Sequence, residues 1–224
     1  MPLPFRLPIA PVIVYLHGFA SSPLSSKAAY FGERLRAHGV SFVCPDFNQP
    51  DFRTLTITRM LGQLEALVDR APEASVTLMG SSLGGTLAIL GASRLGGRVE
   101  HVILMAPAVM FAKPSHHLLP PERIEEWRRA GSLPFFHHGF GENRLLDATF
   151  YEDSLEYDAF NAVFAQPTLI CQGLHDRSVD CRTVEAFAAS RRNVTLSLLD
   201  DDHQLLASLQ RMWSDVEAFL GLID

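Results

Sequence analysis

The sequence predicts an α/β fold, with an open, mostly parallel sheet of about six strands flanked by helices. Short apolar runs alternate along the chain with longer segments whose apolar residues recur at helical spacing. Such alternation is typical of parallel strands joined by right-handed crossovers. The chain has 224 residues, of which 47% are hydrophobic and 20% are charged. This length is enough for one well-buried domain and short for two, so we expect a single domain over residues 1–224.

Three β-then-α units make up the first part of the chain. The predicted strands are continuous apolar runs, as expected when both faces of a sheet are covered, and they span 11–16, 41–44 and 76–79. The predicted helices show apolar residues three and four positions apart, and they span 27–38, 54–70 and the segment after Ser82. Gly39 is well placed to end the first helix.

The alternation is interrupted after a fourth strand at 99–105 and resumes with a strand at 167–171. Residues 111–165 show no clear strand, but they contain prolines and an amphipathic helix near 121–129. We interpret this segment as a helical cap or lid over the ligand-binding edge, because long insertions in compact domains tend to have such roles. An irregular surface segment with only a packing role is the alternative.

The aromatic residues of this insertion predict an apolar substrate pocket. The candidate substrate-binding residues are Phe135, Phe136 and Phe140, with Trp127 nearby. Aromatic stretches more often belong to a core than to a ligand site, so the packing interpretation stays open.

The last part of the chain returns to alternating elements. Asp180 is a suitable N-cap for a helix at 181–190, and a strand follows at 194–198. A terminal helix is predicted from the apolar residues that begin at Leu205.

A nucleophile elbow is predicted at Ser82, between the third strand and its helix. The spacing Gly80-x-Ser82-x-Gly84 places a serine in a sharp strand-to-helix turn with its hydroxyl exposed. Glycines are needed there because a Cβ at either position would clash with the adjoining strand or helix. The alternative is an ordinary turn between a strand and a helix.

Three other loops that follow predicted strands carry residues that Ser82 would need. They contain His17-Gly18-Phe19, Asp176 and His203. A serine needs a base to accept its proton, and the base needs a carboxylate to hold its tautomer. Ser82, Asp176 and His203 follow the chain order nucleophile, acid, histidine. The backbone amides of Phe19 and Leu83 are the candidate donors to an oxyanion.

Competing assignments exist for the acid and the base. His175 is a weaker candidate base, and His17 is expected to order the oxyanion loop. Asp180 is better explained as a cap, and the acidic triplet 200–202 is too close in sequence to His203 to approach it from a separate loop.

Composition limits the classes of partner. A net charge of −6 gives no electrostatic reason to expect nucleic acid or an anionic membrane as partner. The three cysteines have no metal-ligand spacing, and the His116-His117 and His137-His138 pairs are poor candidates for a metal site because neighbouring residues seldom point the same way. The odd number of cysteines also argues against a disulfide framework, so a reducing cytosol fits best and we expect a cytoplasmic protein. The first eleven residues lack the apolar core of a signal peptide.

Together these residues resemble the α/β-hydrolase superfamily and, within it, the small bacterial YqiA-like esterases. The motifs that carry the resemblance are Leu16-His17-Gly18-Phe19, Ser21-Ser22-Pro23 with Lys27, Pro45-Asp46, Gly80 to Gly85, Gly173 with Asp176, and His203. The resemblance covers nearly the whole chain, although 111–165 is longer than in the smallest members. It implies a sheet that begins at the third strand of the superfamily, hydrolysis of carboxylic esters through an acylated Ser82, and no cofactor.

The leading hypothesis is therefore a serine hydrolase that cleaves small-molecule carboxylic esters or thioesters. A serine peptidase or an acyltransferase would use the same residues, because they differ in pocket contents and in the second nucleophile. A non-catalytic binding protein is the alternative from another class, but it would have no physical need for all three residues.

Overall fold

The computed structural model describes residues 12–70, 75–113, 116 and 119–222. The strands of the main sheet are β1 (Val12–Leu16), β2 (Ser41–Val43), β3 (Val76–Ser81), β4 (Val99–Met105), β7 (Thr168–Gly173) and β8 (Val194–Leu199). They pair in the order β2-β1-β3-β4-β7-β8, and every pairing is parallel. The predicted α/β class and open parallel sheet are confirmed. The predicted start of the first strand at residue 11, like the segment before it, lies outside the described residues.

Helices cover both faces of this sheet. They are α1 (Ser26–Ala37), α2 (Ile57–Val68), α3 (Leu83–Leu95), α6 (Cys181–Ala189) and α7 (Leu209–Leu220). Side chains alternate along β1, so that Val12, Val14 and Leu16 belong to the apolar cluster of α2, α3 and α6. Ile13 and Tyr15 belong to the cluster of α1 and α7 on the opposite face. Both clusters are buried, which explains why the strand sequences are apolar throughout.

Several element boundaries differ from the predictions. β3 and β7 run two residues further than expected, to Ser81 and Gly173, because their parallel ladders continue through polar and glycine residues. The terminal helix begins at Leu209, so the predicted start at Leu205 is wrong. Leu205 has φ +56° and a fully buried side chain, which places it in a turn, and Leu206 is exposed.

The insertion at 111–165 mixes helices and strands, which corrects the expectation of a purely helical cap. Its elements are α4 (Pro121–Ala130), β5 (Ser132–His137), β6 (Glu142–Asp147) and α5 (Thr149–Leu155). β5 and β6 form an antiparallel hairpin, and the Trp127 indole of α4 donates a 2.7 Å hydrogen bond to the Leu146 carbonyl. Strand alternation was hard to read because β5 contains a proline and β6 exposes its first four residues. The insertion packs on the sheet face that carries α2, α3 and α6.

Candidate active site

Ser82 lies in a strained turn between β3 and α3. Its backbone has φ +54° and ψ −116°, a conformation that L residues rarely adopt. The Ser82 amide donates to the Met105 carbonyl at the end of β4, 2.9 Å away, which fixes the turn against the sheet. A Cβ on Gly80 would lie 2.1 Å from the Gly84 carbonyl oxygen, and one on Gly84 would lie 1.9 Å from the Leu16 carbonyl oxygen. The two glycines therefore permit the close packing that exposes the serine hydroxyl.

Ser82, His203 and Asp176 form one continuous hydrogen-bonded chain. The Ser82 Oγ lies 3.1 Å from His203 Nε2, and His203 Nδ1 lies 2.8 Å from Asp176 Oδ2. These residues come from the end of β3, the loop after β8 and the loop after β7, so they meet at the carboxyl edge of the sheet. The imidazole is 18% exposed and the carboxylate is completely buried.

The Asp176 carboxylate is held by four hydrogen bonds. Besides His203, the Ser178 and Val179 amides each donate to its Oδ1 at 2.8 Å, and the Gln172 side-chain amide donates to its Oδ2 at 3.1 Å. Burial alone raises the pKa of this carboxyl, but the hydrogen bonds from His203 and the two backbone amides lower its pKa below the ordinary value. Asp176 is therefore an anion at neutral pH. It accepts the Nδ1 proton of His203 and leaves Nε2 free to accept a proton from Ser82.

The loop that carries His203 is fixed by hydrogen bonds within the loop and by contacts with β7 and α1. The Asp201 side chain accepts hydrogen bonds from the Asp202 and Ser208 amides, each at 2.8 Å. The loop also packs on Gly173, where a Cβ would lie 2.5 Å from the Asp202 carbonyl oxygen. From α1, the Lys27 ammonium donates a 2.7 Å hydrogen bond to the carbonyl of Gln204, the residue after His203.

Lys27 is a buried cation next to the site. Burial lowers the pKa of its ammonium to about 8, although the carboxylates of Asp202, Asp176 and Asp201 oppose this shift. From the sequence, Lys27 belongs to the motif behind the family resemblance, but no role for it was predicted. The helical pattern of α1 indicates only that this position lies in the first turn, and its partner is 177 residues away.

The candidate oxyanion donors border the hydroxyl of Ser82. Leu83 is the first residue of α3, and the loop of Phe19 approaches so closely that a Cβ on Gly18 would lie 3.5 Å from the Ser82 Cβ. Within the described part of the chain, the Phe19 and Leu83 amides have no hydrogen-bond acceptor. Both residues line the cleft at Ser82, so two backbone donors are available at the edge of the site.

His17 orders the Phe19 loop, as predicted from its position. Its Nε2 accepts a 3.1 Å hydrogen bond from the Phe47 amide, so its proton is on Nδ1, which donates to the Gly18 carbonyl at 3.0 Å. Both ring nitrogens are thus used within the fold.

The competing residues lie in other contacts. His175 is exposed and lies 2.7 Å from Asp200, while its backbone amide donates to the Asp201 carbonyl. Asp180 caps α6 by accepting from the Arg182 amide, as predicted. Neither His175 nor Asp180 is hydrogen-bonded to the Ser82–His203 pair.

A cleft of about 1070 Å³ opens at Ser82. Ser82, Leu83, Phe19 and His203 line it, together with residues from the loops after β4 and β7 and from the β5–β6 turn. This volume is slightly above the usual range for small-molecule sites, which is about 300–1000 Å³.

The predicted substrate-binding phenylalanines lie outside the described lining of this cleft. Phe135 packs edge-on against Phe19 and lies at a tilt against the buried Trp127. Phe136 is 53% exposed, and Phe140 stacks on His137 with the ring centroids 4.1 Å apart. The hairpin instead reaches the cleft through its turn, at His138 and Gly139. The sequence pattern located the correct segment but not the direction of its side chains.

Neither a metal cluster nor a membrane-spanning helix is present among the described residues. No group of three or more His, Cys, Asp or Glu side chains there is arranged to hold a metal ion. His137 is buried and lies 2.9 Å from the Asn48 side chain, whereas His138 lines the cleft. His117 lies outside the described residues. No helix in this part of the chain combines the length and the apolarity needed to cross a bilayer.

Comparison with known families gives one match along nearly the whole chain. The model of the Uncharacterised protein family (UPF0227) matches residues 12–221. The chain belongs to this family. The match confirms the predicted family resemblance, and it spans Ser82, Asp176 and His203. Among curated proteins, none is significantly similar in sequence to this UPF0227 member.

Solved structures show that this UPF0227 member has the fold of the α/β-hydrolases. Est1E from Butyrivibrio proteoclasticus, solved with bound ferulic acid, is 22% identical, with a TM-score of 0.82 over 97% of this chain and 91% of that one. Alpha/beta hydrolase domain-containing protein 10 from mouse is 21% identical, with a TM-score of 0.78 over 97% and 92%. A monoacylglycerol lipase from Paleococcus ferrophilus is 14% identical, with a TM-score of 0.75 over 98% and 97%. The common fold is therefore maintained across very different sequences.

Proposed function

We propose that this protein is a serine hydrolase that cleaves small-molecule carboxylic esters through an acyl-enzyme. The observation that carries the proposal is the hydrogen-bonded chain from Asp176 through His203 to the Ser82 hydroxyl. A strained serine with an exposed hydroxyl, a base within hydrogen-bond reach and a buried carboxylate behind that base are the requirements for nucleophilic catalysis. The fold shared with esterases and lipases agrees with this chemistry.

In the acylation step, Ser82 Oγ attacks the ester carbonyl carbon while its proton moves to His203 Nε2. The carbonyl oxygen becomes an oxyanion and accepts hydrogen bonds from the Phe19 and Leu83 amides. The tetrahedral intermediate then collapses. The bond to the alcohol oxygen breaks, and the His203 proton passes to the departing alcohol.

In the deacylation step, a water molecule replaces the alcohol. His203 takes one proton from this water as its oxygen attacks the acyl carbon, and it then returns that proton to Ser82 Oγ when the acid leaves. Asp176 stabilises the imidazolium in both steps without accepting the proton itself. Its low pKa is required for this role, because a protonated carboxyl would neither hold the tautomer nor offset the charge.

The proposed substrate class is a small ester rather than a polymer. The cleft of about 1070 Å³ could enclose a drug-sized molecule. The fold neighbour Est1E binds ferulic acid, which is an aromatic carboxylic acid, and this supports a carboxylic acid as the product here. The proposal includes a cytoplasmic location, supported by three cysteines that all carry free thiols.

Labelling with a fluorophosphonate tests the proposal directly. The purified protein should be labelled at Ser82, as identified by mass spectrometry of the tagged peptide, and it should hydrolyse p-nitrophenyl acetate. Ser82→Ala should abolish both, whereas Ser214→Ala, which removes a hydroxyl bonded to the Gln210 carbonyl within α7, should change neither. Equal labelling of the wild type and Ser82→Ala would overturn the assignment of the nucleophile.

A further inference from the structure

The charged groups along the cleft have a sign opposite to that of the whole chain. The sequence contains 25 acidic and 19 basic residues. In the described lining of the cleft, however, there is no aspartate or glutamate, while Lys27 and Arg177 are both present. His116, His138 and His203 are its other ionisable side chains apart from the buried Tyr15. The net charge of the chain is therefore a poor guide to the charge that a substrate would meet.

The charge of Lys27 is used within the protein. Its ammonium donates to the Gln204 carbonyl at 2.7 Å, and it interacts electrostatically with Asp202, Asp176 and Asp201. Three carboxylates near Lys27 offset its positive charge, and only 8% of the residue is exposed. It is not the group that a substrate anion would reach.

Arg177 is different, because its guanidinium has no partner among the described residues. It is exposed, it lines the cleft, and it makes no ion pair or side-chain hydrogen bond with any residue that the structure describes. Its backbone position is nevertheless fixed. The neighbouring Asp176 accepts hydrogen bonds from the Ser178 and Val179 amides at 2.8 Å, so the turn that carries Arg177 is tied to the carboxylate behind His203.

We infer that the substrate carries an anionic group, a carboxylate or a phosphate, near its ester bond, and that the guanidinium of Arg177 binds this group. The inference rests on the esterase function proposed above. A guanidinium presents a planar fork of donors that matches both anions in a bidentate manner. A neutral ester would gain nothing from Arg177, whereas an anionic one would gain a charge-assisted contact with this residue of the cleft lining. Arg177 would thus select among esters that Ser82 attacks equally well.

Three aryl acetates provide matched substrates for the test. 4-Acetoxybenzoate carries a carboxylate, 4-acetoxyphenyl phosphate carries a phosphate, and methyl 4-acetoxybenzoate is neutral. All three release acetate from the same acyl carbon. Dividing each kcat/KM by the hydroxide-catalysed rate of the same ester removes the intrinsic difference in leaving group. A second pair, monoethyl adipate and ethyl hexanoate, places the anion on the acyl side.

The variants distinguish the effect of the Arg177 guanidinium from the effect of the overall charge of the protein. Arg177→Gln removes the charge, and Arg177→Lys retains it without the fork. Arg192→Gln is the matched control. Arg192 is also exposed, but it precedes β8 and so lies at the amino ends of the strands, whereas the cleft lies at their carboxyl ends. Thermal unfolding of each variant should match that of the wild type, since neither arginine is buried.

We expect the wild type to prefer at least one anionic ester over its neutral counterpart by about tenfold or more in normalised kcat/KM. Arg177→Gln should lose this preference and leave the neutral ester within twofold, Arg177→Lys should retain part of it, and Arg192→Gln should retain all of it. Raising the salt concentration should reduce the preference, because an exposed ion pair is screened. The substrate that shows the preference identifies whether the anion is a carboxylate or a phosphate, and whether it lies on the alcohol side or the acyl side of the ester.

Equal rates for charged and neutral esters in both series, or a preference unchanged in Arg177→Gln, would overturn the anion site while leaving the esterase function intact. Failure of all esters together with absence of fluorophosphonate labelling would overturn the proposed function. In that case calorimetric binding of 4-acetoxybenzoate and its methyl ester to Ser82→Ala still tests Arg177, because binding requires no turnover. Tighter binding of the carboxylate that disappears in the double variant, Ser82→Ala with Arg177→Gln, would support the site, and equal binding would refute it.

Discussion

Replacing Asp176 by asparagine would reverse one hydrogen bond without changing the size of the side chain. The carbonyl oxygen of the introduced amide can still accept from the Ser178 and Val179 amides, which fixes the NH₂ group where Oδ2 now lies, 2.8 Å from His203 Nδ1. That NH₂ group would donate to Nδ1 and force the proton onto Nε2. The proton would then point at Ser82 Oγ, so His203 could no longer accept the serine proton.

The expected loss is about 10⁴-fold in kcat/KM, equivalent to roughly 5.5 kcal/mol of transition-state stabilisation. Stability should fall only modestly, because the Gln172 side-chain amide loses its acceptor Oδ2, 3.1 Å away, but still donates to the Gly173 carbonyl at 3.2 Å. Loss of one hydrogen bond of this kind costs about 1 kcal/mol. The protein should still fold if its stability is ordinary.

Asp200→Asn is the matched control. It also removes a carboxylate that lies 2.7 Å from a histidine, but the His175–Asp200 pair is exposed and is not hydrogen-bonded to Ser82. Rates of p-nitrophenyl acetate hydrolysis and urea unfolding should be measured on both variants. Wild-type turnover in Asp176→Asn would refute the tautomer reasoning, and a comparable loss in Asp200→Asn would move the acid to the other pair.

Three further predictions concern the glycine packing, the buried lysine and the phenylalanines of the hairpin. Gly84→Ala should lower the free energy of unfolding by about 3 kcal/mol or more, because its Cβ would lie 1.9 Å from a backbone oxygen. Gly62→Ala in α2 is the control: a Cβ there meets nothing within 4 Å, so it should raise the free energy of unfolding by about 0.5–1 kcal/mol. Both are measured by urea unfolding, and equal effects would contradict the packing account. The folded-state pKa of Lys27, about 8, lies below its unfolded value, so its charge destabilises the fold at neutral pH and this penalty is relieved as pH rises from about 8 to about 10.5. The unfolding free energy of the wild type minus that of Lys27→Met should therefore rise over this window by an amount on the order of 3 kcal/mol, and a flat difference would contradict the assignment. Phe136→Ser should leave kcat/KM for p-nitrophenyl esters within twofold, because Phe136 lies outside the described cleft lining. Met110→Ala should raise KM for the same esters, because Met110 belongs to that lining. The reverse pattern would identify the hairpin phenylalanines as substrate contacts.

The sheet and the convergence of the candidate residues could be predicted from the sequence because both follow from the order of strands and helices along the chain. Parallel strands place their carboxyl ends at one edge, so residues that follow β3, β7 and β8 meet there whatever the details of packing. The glycine spacing around Ser82 adds a local constraint, since a Cβ at Gly80 or Gly84 would clash with backbone atoms in so tight a turn. The triad geometry required no knowledge of side-chain packing at long range.

The hairpin and Lys27 could not be read in this way because their contacts are made between distant segments. Whether Phe135 faces a substrate or the core depends on Trp127 and Phe19, which are brought together only in the folded chain. Similarly, Lys27 is in the first turn of a helix, where an exposed cation is the ordinary expectation. Its ammonium is buried because the loop after β8 folds over it.

The end of β4 connects the nucleophile to the acid. The Met105 carbonyl accepts from the Ser82 amide at 2.9 Å, and the next amide, that of Ala106, donates to the Cys171 carbonyl of β7 at 2.9 Å. Both groups belong to the peptide unit that joins Met105 to Ala106, and the chain turns directly after it, where Ala106 adopts φ +45°. One peptide segment therefore ties the Ser82 turn to the strand that leads to Asp176. His203 is hydrogen-bonded to both Ser82 and Asp176, so its two hydrogen-bond distances depend on this backbone connection as well as on the contacts that fix its own loop. The backbone connection through Met105 and Ala106 thus helps three segments far apart in sequence to hold Ser82, His203 and Asp176 within hydrogen-bond distance.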